Sequence, residues 1–203
     1  MIEKCVDVLD RHPDVVLCYP NAKLVDGEGK LLSHYDDVLD LQEDRASRRF
    51  IRLLSTIRLA HQHLGVIRCD ALRRTALHQS FMAADINFLA ELSLYGKFYQ
   101  VPEYLLFRRM HPGSSSWDRT NRGAQIAWSD PQRKERIRLD RWESMATFFS
   151  AVWRCPAPLR DKLEMSNHLL HEMYWSRSDL GSELKWAIGA KTRHIFHRHS
   201  RTA

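Results

Sequence analysis

The sequence is poor in cysteine, glycine and proline, and these shortages exclude several classes of protein. Its 203 residues include 4 Cys, 8 Gly and 7 Pro. Collagen-like and low-complexity chains need far more glycine and proline, and no repeat of fixed period is present. The cysteines form no CxxC pair and no zinc-finger spacing, so we expect reduced thiols and no structural zinc. They are Cys5, Cys18, Cys69 and Cys155.

Long apolar runs are also missing. The apolar stretches end at Arg, Asp or His well before the roughly 20 residues that a bilayer span requires. The first residues, MIEKCVDVLDRH, are charged throughout and contain no apolar core of a signal peptide. With 44% hydrophobic and 28% charged residues the composition is that of a globular protein. We therefore expect a cytoplasmic protein.

The chain is basic, with a formal net charge of +6 and a pI near 9.3. A basic surface favours nucleic acid, anionic lipid or phosphorylated substrates as partners. Many of the bases alternate with acids, as in QRKERIRLDRWE (132 to 143), which is typical of a solvated helix face. Because no RNP motif, zinc finger or KH loop accompanies the charge, we expect no nucleic-acid partner.

The first part of the chain alternates between strand and helix patterns. Helical spacing predicts helices over Ile2 to Arg11 and Arg45 to Arg58, and a helix that ends at Gly96. Strands are predicted at 15–19, 64–68, 98–101 and 104–109, and Asp26-Gly27 predicts a hairpin. The expected fold class is α/β, with a mixed sheet and flanking helices.

The last part of the chain reads as helical. Asp130-Pro131 offers a cap followed by proline at the first helical position, and the apolar pattern then continues to about Arg154. Two more helices are predicted over Leu159 to Arg177 and Leu180 to His199, the second running into the basic tail KTRHIFHRHSRTA. The pattern predicts two units, one over residues 1–116 and a helical extension over 117–203.

Three segments carry a resemblance to a known family. They are DVLDRHPDVVLCYPNAKLVDGEGKLL, HLGVIRCDALRRT and ADINFLAELSLYGKFYQVPEYLLFRRMHPGSSS. In this order and spacing they resemble the carboxyl-terminal half of family 2 glycosyltransferases of the GT-A fold. The resemblance covers roughly Ile2 to Ser116 and implies a partial GT-A-like sheet on the acceptor side. It also implies a role in cell-surface polysaccharide or glycoconjugate synthesis.

The resemblance implies an inverting transfer of a sugar from a nucleotide-sugar donor to a hydroxyl of a glycan or lipid-linked acceptor. Such a displacement needs a carboxylate that takes the acceptor proton and a positive centre that neutralises the leaving diphosphate. By position, Asp85 in AADINFLAELSLYG matches the family's catalytic base. The alternative is that Asp85 only caps the helix, which is a common use of aspartate.

The segment FRRMHPGSSS supplies the second predicted site. By position, His111 matches a histidine that approaches the metal or the diphosphate in the family, and Mg²⁺ or Mn²⁺ is the expected cofactor. Arg108 and Arg109 add positive charge, and Ser114 and Ser115 offer hydroxyls to phosphate oxygens. The alternative is an ordinary loop in which the histidine packs on its neighbours.

The segment HQHLGVIRCDAL matches a region near the family's acceptor pocket. Gly65 is the candidate for close approach of a substrate to the backbone, and His63 and Arg68 are the candidate polar contacts. The alternative is that Gly65 serves a turn and that His61 and His63 lie on the surface.

The family's nucleotide-binding βαβ unit and DxD acids precede the region that this sequence matches, and the sequence shows neither. The resemblance therefore predicts that this chain alone binds sugar nucleotide and metal weakly and transfers little sugar. Sheet edges and apolar faces that the other half would cover predict self-association.

A second function class stays open, a non-catalytic basic module that binds anionic lipid or a protein partner. The tail from Lys185 combines aromatic and basic residues, which suits an anionic interface, and it predicts peripheral contact with the inner face of the membrane. The tail residues concerned are Trp186, Ile188, Lys191, Arg193, Ile195, Phe196 and Arg198. Aromatic residues at helical spacing also serve as core, and the histidines of a basic tail usually bind no metal.

Overall fold

The computed structural model describes residues 1–35, 39–113 and 139–199, with side chains described as far as residue 189. In these ranges the chain forms a mixed α/β structure of four strands and seven α-helices, with a 3-10 turn at His61–Leu64. The strands are β1 Val15–Val25, β2 Leu31–Tyr35, β3 Val66–Ile67 and β4 Lys97–Arg109. The helices are α1 Ile2–Arg11, α2 Ala46–Thr56, α3 Cys69–Leu72, α4 Ala84–Ser93, α5 Asp140–Arg154, α6 Leu159–Trp175 and α7 Arg177–His199.

Strand β1 is the centre of the sheet, because each of the other three strands pairs with it. Strand β4 runs parallel to β1 along its whole length, whereas β2 and β3 are antiparallel to it. Leu17 pairs with both Ile67 and Phe98, and Lys23 pairs with both His34 and Phe107. Strands β2 and β3 therefore lie on the edge of β1 that faces away from β4.

The predicted hairpin is confirmed. Asp26 Oδ1 accepts hydrogen bonds from the backbone N–H groups of Glu28 and Lys30 at 3.0 and 2.8 Å. Gly29 has a φ of 90°, a left-handed conformation that glycine adopts without steric cost. Both residues of the predicted Asp26-Gly27 pair lie in this turn, and the residue with the left-handed backbone is Gly29.

The two strands predicted at 98–101 and 104–109 are one continuous strand, β4. The register passes from Pro20 opposite Val101 to Asn21 opposite Tyr104, so Pro102 and Glu103 bulge out of the ladder. Proline has no N–H to donate and is tolerated at such a bulge. The strand therefore continues through a proline that, from the sequence alone, marked a break.

The predicted helices agree with the structure, with different ends. The predicted helix over 45–58 is α2, and the predicted helix ending at Gly96 is α4, which stops at Ser93. The helix predicted from Asp130-Pro131 is present as α5 from Asp140, while its predicted start lies outside the described residues. In the part of the chain that the structure describes, no helix is both long and apolar enough to cross a membrane.

The main hydrophobic core joins the sheet to the carboxyl-terminal helices. Leu17, Tyr19 and Phe98 of the sheet belong to the same buried cluster as side chains from α2, α4, α5 and α6. Those helix residues are Phe50, Leu53, Phe88, Leu89, Leu92, Phe148, Val152, Met165 and Leu169. On the opposite face of the sheet, α1 buries Cys5 and Leu9 against Cys18 and Val101.

Charged side chains connect α2 and α4 to the carboxyl-terminal helices. Arg45 Nη2 donates to Asp161 Oδ1 at 2.7 Å and also to Glu164. The buried Glu91 of α4 accepts hydrogen bonds from the backbone N–H of Ala76, at 2.9 Å, and from Arg154 of α5. Each pair joins a buried carboxylate to a partly exposed arginine, and the pairs connect the start of α2 to α6 and α4 to α5.

Gly96 allows the chain to pass closely over the start of β1. A Cβ at Gly96 would lie 2.3 Å from Val16 Cγ1 and 2.8 Å from the Asp14 carbonyl oxygen.

We expect Gly96→Ala to lower the free energy of unfolding by about 2–3 kcal/mol because the backbone must move. Gly181→Ala is the control, since nothing lies within 4 Å of a Cβ there and α7 should gain roughly 0.5–1 kcal/mol. Urea unfolding of both variants checks this, and equal midpoints would contradict it.

Asp161 makes stability sensitive to acid. Its burial acts to raise the pKa, but hydrogen bonds from Arg45 and Ser47 outweigh burial, so the pKa lies below its ordinary value. A carboxyl group with a depressed folded-state pKa contributes stability above its unfolded-state pKa, and this contribution is lost as the pH falls through the folded-state pKa. We therefore expect the free energy of unfolding to decline as the pH falls below about 5, and less steeply in Asp161→Asn.

Arg45→Met should flatten the same decline, since it removes the partner that holds the Asp161 carboxylate charged. Urea unfolding at several pH values measures all three proteins. If the two variants keep the slope of the unmodified chain, the Arg45–Asp161 pair is not the source of the acid sensitivity.

Candidate functional site

The carboxyl ends of β1 and β4 lie at the same end of the sheet, because these strands are parallel. In open α/β sheets, ligands bind outside the carboxyl ends of the strands. Helix α4 ends near the opposite end, where Gly96 lies against Asp14 and Val16. The ten residues of α4 span about 15 Å, so the first turn of α4 is about that distance from the last turn, which lies near the start of β1.

Asp85 lies in this first turn and is half-buried. Its Oδ1 accepts a hydrogen bond from the backbone N–H of Ile86 at 2.9 Å. The N-cap position is occupied by Ala83, which has a left-handed backbone with a φ of 63°. The alternative in which Asp85 is itself the N-cap is therefore wrong. A non-glycine residue with positive φ is uncommon, and such strained residues cluster at functional sites.

His111 directly follows Met110 at the end of β4 and is exposed. Its Nδ1 accepts a hydrogen bond from the backbone N–H of Gly113 at 3.1 Å, which holds the ring over the turn. Arg108 and Arg109 pair with Leu24 and Val25 of β1, so they share this end of the sheet with His111. The other two predicted residues of this segment, Ser114 and Ser115, lie outside the described residues.

Gly65 lies against β1. A Cβ there would lie 2.5 Å from the Cys18 carbonyl oxygen and 2.8 Å from Tyr19 Cβ. The close approach that the structure shows at Gly65 is to the protein's own backbone, and approach of a substrate to Gly65 stays a prediction. His63 is half-buried and its Nδ1 hydrogen-bonds the carbonyl oxygen of Ala60. His61 is 2% exposed, so the alternative that placed both histidines on the surface is wrong for His61.

Arg68 joins α1 to the sheet. Its Nε donates to the carbonyl oxygen of Val15 at 2.8 Å, and its Nη2 donates to those of Leu9 and His12. These carbonyls belong to the end of α1 and the start of β1, where a guanidinium complements the helix carboxyl terminus. The fold accounts for the position of Arg68, and its contact with a substrate stays a prediction.

A group of polar side chains follows Tyr19 along one face of the sheet. The Tyr19 hydroxyl is 3.2 Å from Gln100 Oε1, and Gln100 Nε2 donates to Asn21 Oδ1 at 2.5 Å. The backbone N–H of Gln100 donates to Asp40 Oδ1 at 3.1 Å. Because alternate residues of a strand share a face, Tyr19, Asn21 and Lys23 lie in a row that leads out of the core toward the strand ends.

Lys23 is half-buried at the outer end of this row, between aromatic side chains. Its Nζ lies 5.8 Å from the ring centroids of both Tyr104 and Phe107. The His34 ring from β2 lies 4.5 Å from that of Tyr104. The structure thus brings side chains of three strands together at the end of the sheet that also carries Arg108 and Arg109. No sequence pattern predicts that Lys23, His34, Tyr104 and Phe107 meet, because they lie far apart in sequence order.

The described residues contain no group of three or more His, Cys, Asp or Glu side chains that could hold a metal ion. His111 is the one imidazole of the predicted metal site, and a divalent ion would need further ligands from outside the described residues. These residues therefore do not form a complete Mg²⁺ or Mn²⁺ site.

Two comparisons with known proteins yield no relative. No protein-family model matches the chain, and none of the curated proteins matches it.

Proposed function

We propose that this chain is the acceptor side of an inverting, family 2-like glycosyltransferase with a partial GT-A-like sheet. The observation that carries the proposal is the Asp85 carboxylate in the first turn of α4, behind the left-handed Ala83 and half open to solvent. The segment order of the family resemblance supports the same assignment. In this proposal the chain's own contribution is to bind the acceptor and to remove its proton.

In the proposed reaction the oxygen of an acceptor hydroxyl attacks the anomeric carbon of the donor sugar. The bond from that carbon to the diphosphate breaks, the nucleoside diphosphate leaves, and the hydroxyl proton passes to the Asp85 carboxylate. Oδ1 of Asp85 accepts the Ile86 N–H, which fixes the orientation of the carboxylate. The fixed carboxylate leaves lone pairs on both oxygens for the incoming proton.

Arg108, Arg109 and His111 are proposed to lie toward the departing diphosphate, where positive charge and imidazole hydrogen bonds favour the leaving group. His111 would add one imidazole to an Mg²⁺ or Mn²⁺ site whose other ligands come from outside the described residues. No step of the proposal depends on that ion. His63 and Gly65 remain proposed neighbours of the acceptor, through the 3-10 turn that packs beside β1.

Asp70 is a matched control for tests of Asp85, because both aspartates bond the next backbone N–H in the first turn of a helix. Asp70 lies in the first turn of α3, and its Oδ1 accepts the backbone N–H of Ala71 at 2.9 Å, as Asp85 Oδ1 does with Ile86. We expect glycan acceptors to shift the amide NMR signal of Ile86 and to leave that of Ala71 in place. Titration of the labelled chain with a panel of soluble glycans measures both amides at once.

The low sugar transfer that we expect of this chain alone should fall by about 10²–10⁴-fold in Asp85→Asn, the range that a positioned general base contributes, and should be unchanged in Asp70→Asn. Release of nucleoside diphosphate is measured with UDP- and GDP-linked sugars, Mg²⁺ or Mn²⁺, and the glycans that shift Ile86. A panel that neither shifts Ile86 nor receives sugar would overturn the glycosyltransferase proposal. Equal rates for the two variants would remove Asp85 from it.

A second candidate function is attachment to an anionic membrane surface without catalysis. The observation in its favour is a set of large apolar side chains on the outside of α6 and α7. Trp175 is 72% exposed, Ile188 67% and Trp186 48%, and Leu159, Leu163, Leu170 and Tyr174 are also exposed. Apolar and aromatic side chains beside lysine suit the interface of an anionic bilayer. The rest of the predicted basic tail has no described side chains.

The tail prediction is tested by co-sedimentation with vesicles that contain phosphatidylglycerol. If the tail attaches the chain, deletion of Lys185 to Ala203 should abolish sedimentation, and the substitution of Trp186 by Ala should weaken it. Vesicles of phosphatidylcholine alone are the control, since they lack the negative surface charge. Binding that survives the deletion would exclude the tail as the anchor.

A further inference from the structure

The outer end of the β1–β4 face carries an exposed aromatic ring beside a lysine ammonium group. Phe107 is 63% exposed, although most large aromatic side chains on a sheet are covered. Lys23 pairs with Phe107 in the parallel register, and its Nζ lies 5.8 Å from the Phe107 centroid. The Tyr104 ring, at the same 5.8 Å, lies on the other side of the ammonium group.

Arg109 brings a second positive charge to the same face. It is two residues beyond Phe107 on β4, and alternate residues of a strand share a face. It pairs with Val25, which is likewise two residues beyond Lys23 on β1. Lys23 and Arg109 are therefore diagonal neighbours, and like charges on neighbouring strands repel unless an anion lies between them.

The described strand residues of this row include no acid, whereas Asp40 lies beside Gln100 and accepts its backbone N–H at 3.1 Å. On β1 the row is Tyr19, Asn21, Lys23 and Val25, on β4 it includes Phe107 and Arg109, and on β2 His34 pairs with Lys23. Among the described residues, the interactions of the Lys23 ammonium are those with the rings of Tyr104 and Phe107. In the described part of this face, positive charge therefore lies next to an exposed ring, which is complementary to a ligand with a negative and an apolar side.

We propose that this face binds an acidic glycan, with the carboxylate of a hexuronate sugar on Lys23 and Arg109 and the pyranose ring on Phe107. A hexuronate carries its carboxylate next to an apolar ring face of C–H groups, and those groups pack on the electron-rich face of an aromatic ring. One sugar residue can therefore contact the ammonium group and the neighbouring ring together. The inference rests on the proposed function, because it names the acceptor class of the same enzyme.

The row of polar side chains continues from this face toward the helices that pack on the sheet. Asn21 and Gln100 lie between Lys23 and the part of β1 that α4 and α2 cover, and their amide groups can hydrogen-bond sugar hydroxyls. A glycan that starts on Phe107 and follows this row would extend toward the helices that pack on Tyr19. The acidic sugar would then be a recognition element at a distance from the reacting hydroxyl.

The test compares tetragalacturonate with the same oligosaccharide after reduction of its carboxyl groups. Titration calorimetry of the full chain should show preferential binding of the acidic form. Lys23→Gln should weaken binding of the acidic form by about tenfold, because a charge-assisted hydrogen bond is lost, and should not alter binding of the reduced form. Lys23→Arg should restore the preference. Lys30→Gln, which removes an exposed lysine of the β1–β2 turn, is the charge-matched control and should change nothing.

Phe107→Ala should weaken binding of both forms, since the ring contacts the part of the sugar that they share. Equal affinity for the acidic and reduced forms would overturn the inference, and so would unchanged binding in Lys23→Gln. Binding to phosphatidylglycerol vesicles that depends on Lys23, without binding of tetragalacturonate, would reassign the face to lipid and also overturn it. If the Ile86 amide responds to neutral glycans while no acidic preference exists, the proposed function stands and this inference fails.

Discussion

The pairing of every other strand with β1 is the constraint on which the rest of the structure depends. β1 is hydrogen-bonded along both edges, and its side chains are buried by α1 on one face and by α2, α4 and the carboxyl-terminal helices on the other. Because β1 is covered on all sides, neighbouring segments of the chain approach its backbone closely. Gly65 and Gly96 allow this approach, since a Cβ at either position would overlap atoms of residues 14 to 19.

The same constraint explains why the last helices belong to the core. Phe148, Val152, Met165 and Leu169 lie in one buried cluster with Leu17 and Tyr19, so they cover a sheet that would otherwise expose apolar surface. Their docking is made specific by charge, because Arg45 meets Asp161 and Arg154 meets the buried Glu91. Apolar burial holds these helices on the sheet, and the ion pairs add contacts from α2 to α6 and from α4 to α5.

The polarity of the sheet then decides where chemistry can occur. Because β4 is parallel to β1, Arg108, Arg109 and His111 lie at the end where β1 emerges from the core, beside Lys23 and Phe107. Antiparallel pairing would have placed them at the opposite end, beside Asp14. The row from Asn21 to Lys23 is half-buried, since β1 is fully buried from Val15 to Pro20 and partly accessible at Asn21, Lys23 and Leu24.

Much of the fold follows from local patterns in the sequence. The apolar spacing of α1, α2 and α4, the turn chemistry of Asp26 and the β-branched run at Val15 and Val16 predict their elements, because these signals act within a few residues. Pro102 misled the prediction of β4, since only a partner strand shows that a proline can occupy a bulge. The predicted base, Asp85, follows from family resemblance, whereas its position behind the left-handed Ala83 required the structure.

The sequence by itself determined the α/β class, the helical end of the chain, the basic charge and the candidates Asp85 and His111. Only the tertiary structure decided that Arg68 serves the end of α1, that Gly65 lies against the protein's own backbone, and that Lys23, His34, Tyr104 and Phe107 meet on one face. The physical reason is that local preferences of the backbone are encoded over a few neighbouring residues. The meeting of distant side chains depends instead on strand order, direction and register, which arise when the whole core packs.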